Sequence, residues 1–312
     1  MKLSVVIPCY GSEKTIESVV REVMETITVR KIDYEIILVN DSSPDNVWEK
    51  IKKLSMNNEK ITGINFAKNF GQHSALMAGY RVCSGDYILS LDDDGQTPAN
   101  EMFSLLDKLE EGYDVVYASY ENKQHSGFRN LGSKVNDYMC EKLLGKPKGL
   151  MVSSYFITRK YIIDEICKYK NPYCYILGLV LRTTNNIANV PVKHRARQQG
   201  HSGYTLKKLI ALWMNGFTAF SIQPLRIATM IGIIFAAFGF LYTIYIVVNH
   251  FCNPLTPIGW SSIVAAIMIV GGLILCVLGM IGEYLGRVYI SLNTAPQYVI
   301  KETSKKKDSR SR

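Results

Sequence analysis

Two runs of the chain, Ile227 to Val248 and Ile258 to Ile281, contain no charged residue. Core helices of water-soluble proteins seldom stay charge-free for so long. A hydrocarbon core roughly 30 Å thick, by contrast, needs about 20 consecutive apolar residues to cross it. The pair is therefore read as two transmembrane helices, with a buried core hairpin as the competing reading. The link from Asn249 to Trp260 has no Lys or Arg and carries Pro254, Pro257 and Gly259. Lys207, Lys208 and Arg226 precede the first run, while Arg287, Lys305, Lys306, Lys307, Arg310 and Arg312 follow the second. Because cationic residues gather on the cytosolic side, both termini are expected in the cytoplasm, on a multi-pass protein of the inner (plasma) membrane.

The net charge of +9 partly reflects these flanks and is read as affinity for anionic membrane lipid. No nucleic-acid motif accompanies it. Leu3 to Cys9 is too short for the apolar part of a signal peptide, and Gly-Ser-Glu-Lys follows at once. The 7 cysteines include no C-x-x-C pair and suit reduced, packed thiols.

Before the charge-free runs, apolar strand-like stretches alternate with helical periodicity. Leu3 to Pro8 is a first buried strand, and Ser12 can cap a helix that places Ile16, Val19, Val20, Val23 and Ile27 on one face. Further strands are expected at Tyr34 to Val39, Ile61 to Phe66, Tyr87 to Leu91, Asp114 to Ala118 and 151–157. Helices are expected near 72–82, 100–110, 128–144 and 161–169. Such alternation predicts an α/β fold with a doubly wound, mostly parallel sheet. Ligands of such sheets bind at the carboxyl ends of the strands. The loops at 8–13, 40–45 and 92–98 then share one crevice.

Those loops hold Asp41 and the run Asp92-Asp93-Asp94, but no Gly-rich phosphate cradle. Side chains alternate along a strand, so Asp92 and Asp94 share a side. Two carboxylates so close repel unless a cation lies between them. A hard divalent ion, Mg²⁺ or Mn²⁺, shared with the oxygens of a diphosphate, resolves the repulsion. An acidic, solvated turn is the competing reading. His73, near the start of the 72–82 helix, is read as a capping or substrate-side residue. Residues 193–204, with Arg195, Arg197 and His201, are read as a basic loop near the membrane. From 205 to 224, Leu206, Leu209, Ile210, Trp213, Phe217 and Phe220 fall at helical spacing beside Lys207 and Lys208, which suits an amphipathic helix in the membrane interface; packing on the preceding domain is the alternative.

Taken in order, Ser4-Val-Val-Ile-Pro-Cys-Tyr10, Asn69-Phe-Gly-Gln-His-Ser-Ala-Leu-Met-Ala-Gly79, the D-x-D of Asp92 and Asp94 with Gln96 and Pro98, Gly200-His-Ser-Gly-Tyr204, Pro224-Leu-Arg226 and Gly282-Glu-Tyr-Leu-Gly-Arg287 resemble the family 2 glycosyltransferases. The chain is most similar to their membrane-bound polyprenyl-phosphate sugar transferases. The resemblance implies a GT-A fold in residues 1–204, an interfacial helix at 205–224, a transmembrane hairpin at 225–288 and a basic cytosolic tail at 289–312. It implies inverting transfer of one sugar from a nucleotide-diphosphate sugar, UDP-linked by analogy, to undecaprenyl or another polyprenyl phosphate. Pro8, Tyr10, Glu13, Asp41 and Asp92 would bind the nucleotide, Asp92 and Asp94 the metal, and Asp94, Gln96 and Arg197 would serve catalysis. Arg129, Arg195 and Ser202 are candidates for the acceptor phosphate. A homo-oligomer is compatible with the membrane helices. Leu150 stands where many members carry an Asp proposed as base. A processive polysaccharide synthase lacks support, since no Q-x-x-R-W occurs and two spans are too few for a channel. A catalytically silent membrane scaffold is disfavoured by the intact Asp41, Asp92 and Asp94.

Overall fold

The computed structural model of the chain describes residues 1–120, 140–142, 145–172, 174–193, 195, 259–292 and 296–304, with scattered positions between 230 and 248. It divides into two compact units, Met1–Leu206 with Ala295–Arg312, and Lys207–Thr294.

The first unit is built on an 8-stranded sheet. Its strands are β1 (Lys2–Cys9), β2 (Asp33–Asn40), β3 (Ile61–Phe66), β4 (Tyr87–Ser90), β5 (Val115–Ser119), β6 (Phe156–Arg159), β7 (Ile187–Pro191) and β8 (Ile300–Thr303). The order across the sheet is β7-β5-β6-β4-β1-β2-β3-β8. β4, β1, β2 and β3 run parallel, as do β5 and β7; β6 is antiparallel to both β4 and β5, and β8 is antiparallel to β3. The sheet is thus mostly parallel at its centre and mixed towards its flanks.

Among the described residues the helices of this unit are α1 (Ile16–Val29), α2 (Val47–Asn57), α3 (Gln72–Tyr80), α4 (Met102–Glu110, entered through a 3₁₀ turn at Ala99–Glu101), α5 (Lys160–Cys167) and α6 (Ile176–Thr183). The five apolar positions expected on α1 are its buried residues. They meet Leu3, Val5, Ile7, Ile36 and Leu38, alternate residues of β1 and β2, and Leu105, Leu106 and Leu109 of α4, in one core. Each such side chain contributes about 1.5–3 kcal/mol by leaving water. The opposite face carries α3, which approaches so closely that a Cβ on Gly79 would stand 2.4 Å from Val6 Cγ1. Helices therefore cover both faces, as a doubly wound sheet requires.

Residues 300–303, within the stretch read as a basic tail, are a sheet strand. The segment leading into it is docked along the same edge. Tyr298 stacks on Phe66 with ring centroids 5.2 Å apart. Its hydroxyl accepts from Arg81 Nη1 at 2.8 Å. Gln297 Nε2 donates to the Asn171 carbonyl at 2.9 Å, and the Ala67 amide donates to the Val299 carbonyl at 2.9 Å. The region 151–157, expected as strand, is extended strand only from Phe156 onward. Of the helix expected at 128–144, residues 128–139, 143 and 144 lie outside the described residues, as does the amphipathic helix at 205–224.

In the second unit, α7 (Trp260–Leu292) is 33 residues of helix. Ile263, Ile267, Val270, Ile274, Leu278 and Ile281 are exposed along it. Its backbone is described throughout but many of its side chains are not. Counted over described residues alone, no helix is long and apolar enough to cross a membrane.

Candidate active site

Parallel strands deliver their carboxyl ends to one edge of the sheet. Because β1 lies between β4 and β2, the loops after these three strands are neighbours there. Tyr10 and Glu13 come from the first, just beyond Pro8 in β1, Asp92, Asp94 and Gln96 from the second, and Asp41 from the third. The structure thus brings together the residues that the sequence places at 8–13, 40–45 and 92–98.

The loop after β4 is tied down by its own acids. Asp94 Oδ1 accepts the Gln96 amide at 3.0 Å, a local turn that Gly95 completes with φ of 68°. Asp93 points to the neighbouring loop, where its Oδ2 accepts the Tyr10 amide at 2.9 Å. Its backbone carbonyl accepts from Thr15 Oγ1 at 2.6 Å. Burial raises the Asp93 carboxyl to about 6, and the adjacent Asp92 and Asp94 push it the same way. Asp92 is held from two sides. Gln72 Nε2, at the start of α3, donates to its Oδ1 at 2.9 Å, and Ser154 Oγ donates to its Oδ2.

The second cluster surrounds Asp41, which is 3% exposed. Its oxygens accept the amides of Phe70 at 2.7 Å and Gly71 at 2.8 Å. Burial raises its carboxyl, and the two amides act in the opposite sense. Asp41 therefore shapes the turn that opens α3, with Gly71 at φ of 89°. Glu13 and Asp45 clasp the first loop to the third: the Glu13 amide donates to Asp45 Oδ2 at 2.8 Å, and the Asn46 amide donates to Glu13 Oε2 at 3.2 Å. Ser43 Oγ accepts the Gly11 amide at 2.8 Å and donates to Asp45 Oδ1 at 2.6 Å.

Arg195 enters from the chain after β7. Its amide donates to the Gln96 carbonyl at 2.7 Å, so it borders the acidic loop, yet its guanidinium pairs with Glu22 at 3.0 Å. Arg129, Arg197 and Ser202 lie outside the described residues. Leu150 is 7% exposed and its carbonyl accepts from Lys146 Nζ at 2.8 Å. Ser153 Oγ lies 2.8 Å from the Ala118 carbonyl and 2.9 Å from that of Tyr155. His73 neither caps α3 nor finds a partner for its buried Nδ1 among the described residues. It meets the edge of Tyr175 at 5.3 Å between centroids, and burial lowers its pKa to about 4.

Sequence reasoning passed over Gln72, Ser154, Ser43 and Asp45. Gln72 lay inside the Asn69-Phe-Gly-Gln motif, where its side-chain amide was the available signal. Ser154 carried none, since it meets Asp92 across 62 residues.

Residues 4–167 match the family model described as glycosyl transferase family 2. The chain belongs to glycosyl transferase family 2. Residues 223–288 of this transferase match the model described as GtrB C-terminal hairpin. The transferase is 31% identical over 307 residues to undecaprenyl-phosphate 4-deoxy-4-formamido-L-arabinose transferase of Proteus mirabilis, covering 96% of this chain and 93% of the relative. It is 29% identical to the uncharacterized glycosyltransferase YkcC of Bacillus subtilis, with 97% and 94% covered. In fold it is similar to glucosyl-3-phosphoglycerate synthase of Mycobacterium tuberculosis in complex with Mn²⁺, UDP-glucose and phosphoglyceric acid. That likeness has a TM-score of 0.50 at 19% identity, over 68% of this chain and 76% of that one. The family 2 transferase thus has the mostly parallel α/β sheet of GT-A enzymes.

Proposed function

We propose that this transferase moves one sugar, with inversion, from a nucleotide-diphosphate sugar to undecaprenyl or a related polyprenyl phosphate at the cytosolic face of the membrane. The observation that carries the proposal is that the loops bearing Tyr10, Asp41, and Asp92 with Asp94 are neighbours at the carboxyl edge of the parallel strands, in a chain aligned nearly end to end with an undecaprenyl-phosphate transferase. The charge-free runs, the hairpin match at 223–288 and the exposed apolar stripe of α7 support two transmembrane helices after a catalytic domain at 1–204 and an interfacial helix at 205–224. An acceptor confined to the bilayer gives such an anchor its purpose.

The residues present fit a divalent cation. The donors are hard carboxylate oxygens, and the charges of Asp92 and Asp94 add to the burial that raises the Asp93 carboxyl between them. Among the described residues no group of three or more His, Cys, Asp or Glu side chains could hold a metal alone. Asp92 and Asp94 would then supply part of the shell, and diphosphate oxygens and water the rest. Mg²⁺ or Mn²⁺ bound there would neutralise charge on the departing diphosphate. The protein's own part is positioning. Gln72 and Ser154 fix the Asp92 carboxylate, the Gln96 amide fixes Asp94, and the clasp of Glu13 with Asp45 sets the loop on which Tyr10 would meet the base.

A phosphate monoester acceptor has a second pKa of about 6 and is anionic at neutral pH. Its oxygen needs alignment more than deprotonation, which agrees with the buried Leu150. Arg197, Arg129 and Ser202 are proposed to orient the phosphates, with Arg195 placing the Gln96 loop through its backbone.

The test is transfer by the purified full chain in detergent from a panel of radiolabelled UDP- and GDP-sugars to undecaprenyl phosphate, with Mn²⁺ or Mg²⁺. A lipid-linked product from one donor is expected. Labelled lipid from none of them would overturn the acceptor assignment.

A further inference from the structure

The strand that follows the hairpin does more than close a sheet edge. Glu302 of β8 sits opposite Asn65 of β3, and Asn65 Nδ2 donates to Glu302 Oε1 at 3.0 Å. Asn65 Oδ1 in turn accepts from Asn40 Nδ2 at 2.8 Å. Asn40 Oδ1 then accepts the backbone amide of Ser43 at 3.1 Å. Both asparagines are buried, at 4% exposure for Asn40 and 7% for Asn65.

The direction of this chain is set at its two ends. An ionised carboxylate only accepts and a backbone N–H only donates, whereas each asparagine amide offers a donor and an acceptor that exchange on a half-turn of the side chain. With Glu302 at one end, Asn65 must turn its NH₂ outward and its oxygen to Asn40, which leaves the Asn40 oxygen facing Ser43. The hydrogen bond from Asn65 keeps the Glu302 carboxyl below its usual range and therefore ionised. The Ser43 amide follows directly on Ser42, whose φ of 51° places a non-glycine residue in the left-handed region. A turn of that kind persists where its neighbours over-determine it. Ser43 also carries the bonds to Gly11 and Asp45 described above.

We infer that Glu302 is a positioning residue for the nucleotide: through the oriented pair Asn65 and Asn40 it holds loop 41–46, and with it Gly11 and Glu13, in the shape that receives a nucleoside diphosphate. This rests on the reading of loops 8–13 and 40–45 as the nucleotide site. It makes the segment after the hairpin part of the donor site without touching the donor.

The experiment compares the full chain with Glu302→Ala, Glu302→Gln and the strand control Lys301→Ala, all in detergent. Calorimetric UDP binding with Mn²⁺ is read beside amide hydrogen exchange over residues 40–46. Loss of one oriented hydrogen bond in the relay is expected to weaken UDP by about three- to tenfold in Glu302→Ala and to speed exchange in that loop, with KM for the donor rising more than kcat falls. Glu302→Gln, which retains an acceptor oxygen, and Lys301→Ala should stay within about twofold of the parent. Unchanged UDP affinity and exchange in Glu302→Ala would overturn the inference. So would equal losses in Glu302→Ala and either other variant, because these would report strand pairing alone. If the unaltered chain bound no UDP or GDP, the nucleotide-site reading itself would fall, while loop exchange would still show whether the relay orders residues 40–46.

Discussion

Asp92 is held by two side chains that no local pattern announces. Gln72 reaches it across 20 residues and Ser154 across 62. The acids themselves were legible, because a short apolar run followed by carboxylates, Gly and Pro marks a strand end. Their supports were not, because they depend on which strands become neighbours. Partners that orient a metal ligand commonly govern affinity by about 10–100-fold, so with Asp92 in the proposed role Ser154→Ala is expected to shift the Mn²⁺ concentration for half-maximal turnover upward in that range. Its thermal midpoint should move little. His73 gives a second prediction, in pH. Its folded pKa near 4 lies below the ordinary value of 6.5, so the unfolded chain binds the proton more readily. Stability is then complete above about pH 6.5 and falls as pH drops towards 4, by roughly 3 kcal/mol for a shift of this size. Chemical denaturation across pH 4–7 should show a flatter acid limb in His73→Gln than in the parent.

At the level of elements, periodicity located β1 to β5, α1, α3 and α4 within a few residues, since each has a face that must be buried. It passed over β8. Ile-Lys-Glu-Thr is short, polar and exposed on every residue; only the open edge of β3 makes it a strand. α3 shows the reverse case, where contact limits the sequence. Gly79 would gain up to about 1 kcal/mol of helix propensity as Ala. Against this stands Val6 Cγ1 at 2.4 Å on a stiff, fully buried strand side chain. Overpacking typically costs about 1–3 kcal/mol and should win. Gly79→Ala is therefore expected to lower the denaturation midpoint, and an unchanged or higher midpoint would mean that α3 rides further from β1.

Over the whole molecule, the apolar runs and the α/β alternation together announced an α/β unit and a separate apolar one, and the chain divides into two such units, the second containing α7. The return of the chain to the first unit was hidden, because a charged tail and an edge strand have the same composition. This alters how the protein can be divided. Cutting after residue 226 removes β8 along with everything that precedes it from 227 onward, which leaves the outer edge of β3 unpaired while its inner edge stays paired with β2. Such a fragment is expected to melt earlier and to self-associate on size exclusion, whereas the same fragment carrying residues 296–304 on a flexible linker should recover as a monomer.

Transfer itself is tested most directly by partitioning labelled sugar into the organic phase. Vesicles containing undecaprenyl phosphate and either the parent chain or Asp94→Asn would be supplied with the preferred nucleotide sugar and Mn²⁺, with and without chelator. The asparagine keeps an acceptor for the Gln96 amide but loses the charge, so folding should be retained. Lipid-linked label that chelator abolishes is expected from the parent, with a loss of at least about 100-fold in Asp94→Asn, the scale of removing one well-placed electrostatic group. Label accumulating at the parental rate in Asp94→Asn, or undiminished by chelator, would contradict the proposed metal-dependent transfer.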